Sequence, residues 1–159
     1  MIRTALAFLL LASAGAASAQ DEPGARDSAT VLMSEHEGAR AFQEQYGFSD
    51  AVVTDDGHVY LSGVVVGLAP GETDLEAAYA RAYARIGTIL ERAGASWDDV
   101  VDIMSFHTDL TTQLDVMAEV QRRHIDAPFP AWTAIQIDRL VPDRGITEIR
   151  IVARLAEPQ

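Results

Sequence analysis

The side chains best placed to do chemistry lie on two strand-like stretches near the C-terminus. Over Ile146–Leu155, alternation puts Glu148, Arg150 and Val152 on one face and Ile149 and Ile151 on the other. Upstream, Pro128 and Pro130 forbid a helix and force an extended entry. The strand that follows sets Trp132, Ala134 and Gln136 against Thr133, Ile135 and Ile137. Alternation then places Trp132 with Glu148 and Arg150 on a single uncovered sheet face. A carboxylate beside an indole loses hydration, which raises its pKa and suits it to act as a general base. The plainer role for Glu148 is an ion pair with Arg150, which can also serve as a substrate-binding cation. Trp132 either walls a cleft and stacks on a flat or cationic ligand, or plugs a subunit interface.

Other chemistries are excluded by composition. The 159 residues contain no cysteine and no lysine, which removes thiol nucleophiles, disulfides, Cys-based zinc sites and Schiff-base catalysis. The histidines, at 36, 58, 107 and 124, show no metal-binding spacing, so neither a metal nor another cofactor is expected. His107 shares a strand face with Ile103 and Ser105 and reads as a core or rim histidine. Ser62 has no histidine at a recognisable motif spacing and is not a nucleophile.

The elements that position these residues follow from pattern. Residues 20–45 form a polar leader with a short edge strand near Val31–Met33 and a weak helix, where Ser34 and Glu37 have capping-box spacing. Asp55-Asp56-Gly57 between apolar runs predicts a hairpin. Gly63, inside the second strand, predicts a bulge or a close backbone approach. Thr73-Asp74-Leu75-Glu76 predicts a capping box opening the main helix, whose stripe runs Leu75, Tyr79, Ala82, Ile86, Ile89, Ala93 and ends at Gly94. A strand over Val100–Thr108 and a helix over Leu110–Arg123 follow. The order is α+β: one mixed sheet with two main helices on one face. The other face, bearing apolar side chains, is a candidate subunit interface.

At the N-terminus, Arg3 precedes an uncharged run that ends at Ala17-Ser18-Ala19. Its apolar part is shorter than the roughly 20 residues a spanning helix needs. Residues 1–19 are therefore expected to be a signal peptide, leaving an exported protein, periplasmic or secreted, with no membrane attachment after cleavage. Without residues 1–19 the chain has 11 basic and 24 acidic side chains, a net charge of −13. Nucleic acid is not an expected partner at that charge.

Five blocks resemble the Rid/YjgF family: Gly47–Val52, Val59–Gly63, Ala93–Val101, Phe106–Leu110 and Pro130–Ala134, followed by Thr147-Glu148-Ile149. The resemblance spans about residues 46–155, which sets a domain at 46–159. It implies a chorismate-mutase-like fold, a homotrimer, and ligand clefts between subunits. It also implies hydrolysis of enamines and imines to ammonia and a 2-oxo acid. On the matching positions it assigns Phe48, Ser62, Gly63, Trp132 and Thr133 to the cleft, and Glu148 to handling water or protons; Arg150 joins the candidate ligand-binding set through its place beside Glu148 on the same strand face. Three positions depart from the pattern: Phe48 replaces a tyrosine, Met117 an asparagine, and Trp132 the arginine that grips the substrate carboxylate. Indole cannot form a bidentate fork.

Two functions follow. One is a non-catalytic trimer that binds a small metabolite in clefts walled by Trp132, favoured by the missing arginine and by export. The other is a hydrolase of an imine, enamine or related carbonyl derivative, with Glu148 directing water.

Overall fold

The computed structural model describes residues 24–156; the expected signal peptide lies outside them. The elements are β1 (Thr30–Leu32), α1 (Glu37–Tyr46), β2 (Ala51–Val53), β3 (His58–Leu61), β4 (Val64–Gly67) and α2 (Leu75–Arg92). A 3-10 turn (Trp97–Asp99) leads to β5 (Val100–His107), α3 (Leu110–Gln121), β6 (Ala131–Gln136) and β7 (Gly145–Arg154). The strands make one sheet in the order β1-β2-β3-β7-β5-β6, with β4 also paired to β7. β5 and β6 run parallel while β7 is antiparallel to β3, β4 and β5, so the sheet is mixed, as the α+β reading required.

β7 is the spine. Gly145, Thr147, Ile149, Ile151 and Ala153 are buried, and the residues between them are only partly so. The buried side packs under α2 and α3, where Tyr79, Tyr83, Ile86, Leu90 and Met117 are fully enclosed. Each such side chain contributes roughly 1.5–3 kcal/mol by leaving water. α2 is capped by Asp74, which accepts from the Ala77 N–H at 3.0 Å, one residue later than the Thr73 start predicted from sequence. The Ser34–Glu37 capping box does not form at all. Ser34 is buried; its Oγ accepts from the His36 N–H at 3.3 Å while its own N–H donates to Gln43 Oε1, which spends it on the junction before the helix.

The expected domain start at residue 46 is too late. β1 pairs with β2, and Arg92 donates to the Met33 carbonyl at 2.6 Å and to the buried Asp50 carboxylate at 3.1 Å. Gln43 Nε2 donates to the same carboxylate at 2.7 Å. The β1–β2 ladder, the Arg92–Met33 bond and the buried Gln43–Asp50 bond thus tie residues 30–46 to the body of the domain, which makes them part of it.

β3 and β4 read as one strand broken by a bulge. Tyr60 faces Val152 and Val64 faces Ile149, so Leu61, Ser62 and Gly63 stand opposite only Arg150 and Ile151. The extra residue inverts the alternation: Val59 and Leu61 are buried before it, Val64 and Val66 after it.

Sheet register also corrects the placement of Trp132. It pairs with Ile103, which is completely buried on the helix side. Glu148 and Arg150 pair with Phe106 and Met104, whose side chains take the other side. Paired residues share a face, so Trp132 lies on the helix face and Thr133, opposite Met104, lies on the Glu148 face. Alternation within one strand fixes two sets of residues; only the pairing to β5 decides which set meets which.

Candidate functional site

Glu148 projects from the middle of β7 over the bulge. An added β-carbon on Gly63 would lie 2.7 Å from Glu148 Cγ, which is well inside van der Waals contact. The carboxylate therefore occupies space that only glycine leaves open. Among the described residues Glu148 has no hydrogen-bond or ion-pair partner, so the expected pairing with Arg150 does not form. Burial alone raises its pKa above the ordinary 4.5. An unpaired, partly dehydrated carboxylate beside bare backbone is a group able to accept a proton from water.

Next to the bulge opens a cavity of about 250 Å³, lined by Phe42, Phe48, Gly63, Val65, Arg85 and Pro142 among others. Phe48 is exposed and stands edge-on to Phe42 at 5.9 Å between ring centres. The Ser62 N–H donates to the Asp50 carbonyl at 2.9 Å, which pins the bulge to the segment carrying Phe48. Phe48, Ser62, Gly63 and Glu148 are thus brought together around one edge of β4. Arg150 and Thr133 sit further along the same face, opposite one another across Met104. Trp132 is not among them.

Trp132 is instead the outer end of a buried polar chain. Its Nε1–H donates to Ser105 Oγ at 3.0 Å, and Ser105 Oγ lies 2.9 Å from His107 Nε2. His107 Nδ1 lies 3.2 Å from Thr147 Oγ1, which lies 2.6 Å from the Tyr79 hydroxyl and 3.2 Å from Gln113 Oε1. Proton counting orients the chain. Gln113 Oε1 can only accept, so Thr147 donates to it and accepts from Tyr79 and from His107 Nδ1–H. His107 Nε2 then accepts from Ser105. His107 is fully buried, and burial holds its pKa below the ordinary 6.5. This is the core histidine the sequence favoured. The indole also packs against the core beside a shallow hollow of about 130 Å³ lined by Ile125, Phe129 and Pro130.

Sequence reasoning missed Arg85 and Phe42. Arg85 adjoins the buried stripe of α2 without belonging to it, and reads from sequence as a solvated helix residue. The Ser105–His107–Thr147 chain did leave a trace: polar residues at buried positions of β5 and β7.

Residues 38–155 match the family described as Endoribonuclease L-PSP. The chain belongs to the RidA/YjgF (Rid) family. Among Rid proteins, it is 30% identical over 124 residues to the RutC family protein YjgH of Escherichia coli strain K12, covering 76% of this chain and 92% of that protein. The structure of Rv2704 from Mycobacterium tuberculosis is similar with a TM-score of 0.68 and 25% identity, over 80% of this chain and 100% of that one. E. coli TdcF with bound serine shares the Rid fold at a TM-score of 0.58 and 23% identity, over 69% of this chain and 88% of that one.

Proposed function

We propose that this Rid-family chain is an exported homotrimer that hydrolyses the C=N bond of a small imine, or of an enamine once it has tautomerised to the imine, in clefts between subunits. The observation that carries this is the Glu148 carboxylate, unpaired among the described residues and partly dehydrated over the bare Gly63 backbone. In the reaction, Glu148 takes a proton from water as the oxygen attacks the imine carbon. It returns that proton to nitrogen to give a carbinolamine; the carboxylate then takes the hydroxyl proton and passes it to nitrogen as the C–N bond breaks, so that ammonia leaves and a carbonyl product remains.

A cleft completed by a second copy is supported by the face around Glu148, which leaves Val31, Tyr60 and Ile135 at 46%, 40% and 41% exposure, an apolar surface that self-association would cover. A ribonuclease role fits poorly with a net charge of −13 after signal removal.

The second reading is a non-catalytic metabolite-binding trimer, favoured by Trp132. Its indole is tied to Ser105 and offers no fork for a carboxylate. The test generates 2-iminobutyrate in place and follows ammonia release. Acceleration by the wild type, lost by about 100-fold or more in Glu148→Gln, supports hydrolysis. Ligand binding without acceleration leaves only the second reading. Light scattering of the mature protein should give a trimer mass; a monomer removes the intersubunit cleft.

A further inference from the structure

The cavity beside Gly63 has one charged side chain, Arg85, on a wall that is otherwise aromatic and aliphatic apart from Gln43, whose amide is already bonded to Asp50 and Ser34. Phe42, Phe48, Val65 and Pro142 supply apolar surface, and Arg85 supplies charge. The nearby carboxylate, Asp50, is already engaged. It accepts from Gln43 Nε2 at 2.7 Å and from Arg92 Nη1 at 3.1 Å, whereas Arg85 Nη2 stands 3.7 Å away. That distance is too long for a hydrogen bond, and among the described residues Arg85 donates none. Two guanidinium groups thus face one carboxylate, and Arg92 makes the shorter contact. The Arg85 fork keeps its donors for a third party.

We propose that Arg85 anchors the carboxylate of a small ligand whose flat or aliphatic body lies against Phe42 and Phe48. A volume of about 250 Å³ is below the roughly 300–1,000 Å³ of drug-sized pockets and fits a metabolite. Arg85 thereby provides, from helix α2, a cation that Trp132 cannot provide from β6. The proposal rests on reading the Gly63 cleft as the ligand site. It names the ligand class there as monocarboxylates with an apolar body.

The test is a titration of the full mature protein with phenylacetate and with its neutral counterpart phenylacetamide, followed by calorimetry and by backbone amide shifts. Phenylacetate should shift the Phe48 and Gly63 amides and bind at least about tenfold more tightly than phenylacetamide. Arg85→Gln should remove that preference, and Arg85→Lys should keep part of it. The comparison of the two probes on unaltered protein needs no variant to fold. Absence of phenylacetate binding, equal binding of the two probes, or an Arg85→Gln variant that still prefers the acid overturns the proposal. Because the titration reads binding alone, an acid preference without ammonia release sinks the hydrolase reading and upholds the Arg85 anchor. Ammonia release from 2-iminobutyrate that is indifferent to Arg85→Gln does the reverse.

Discussion

Gly63 and Glu148 share one volume: the carboxylate arm lies where a side chain at position 63 would start. The bulge that creates this arrangement also flips the alternation of the β3–β4 strand, so core packing and the placement of Glu148 depend on the same extra residue.

Gly63→Ala should therefore cost about 1–3 kcal/mol of stability and displace Glu148. In a Glu148→Ala background the same change should cost much less, since nothing then occupies the space. Thermal or urea unfolding of the four proteins gives the coupling directly. Additive costs would mean that the two residues do not compete for that space.

Glu148 should also leave a mark on the pH dependence of stability. Burial raises its folded pKa above 4.5, so the folded chain keeps a proton that the unfolded chain has released. Stability attributable to this group is present at low pH and falls as pH rises through the raised value. In urea unfolding across pH 4–8 the stability of the wild type relative to Glu148→Gln should decline with rising pH, the contributions of other groups cancelling in the difference.

His107 works in the opposite direction. Its folded pKa lies below 6.5, so the unfolded chain takes up the proton first and stability is lost as pH falls below about 6.5. Ser105→Ala should compound this. It strips the acceptor from Trp132 and the donor from His107, at about 1–3 kcal/mol for each group left unpaired. Tryptophan emission, followed in the same samples, should shift as the indole loses its anchor.

Arg92→Leu should loosen the N-terminal part of the domain. It leaves Asp50 buried without its shorter-range cation and removes the bond to the Met33 carbonyl, a loss of about 3–5 kcal/mol by analogy with other broken buried pairs. Limited proteolysis should then cut between β1 and α1 before the rest of the domain.

Much of this architecture was legible in the sequence. The alternation of β7 separated Glu148 and Arg150 from Ile149 and Ile151, and Gly63 announced its bulge, because both are local consequences of side-chain direction and glycine's missing β-carbon. The side of the sheet taken by Trp132 was not legible, since parallel register with β5 is a long-range fact. Neither was the role of Ser34, which a buried contact to Gln43 diverts from capping. Arg85 escaped notice because its interest lies in what Asp50 already holds, and no spacing in the chain records that.

The account turns on Glu148 as the group that activates water. Its most direct test is ammonia release from 2-iminobutyrate by the wild type and by Glu148→Gln, with Trp132→Phe as a control for altered packing. The account predicts acceleration by the wild type, a loss of about 100-fold or more in Glu148→Gln, and a smaller change in Trp132→Phe. A wild type that does not accelerate release, or a Glu148→Gln variant that matches it, would contradict the account.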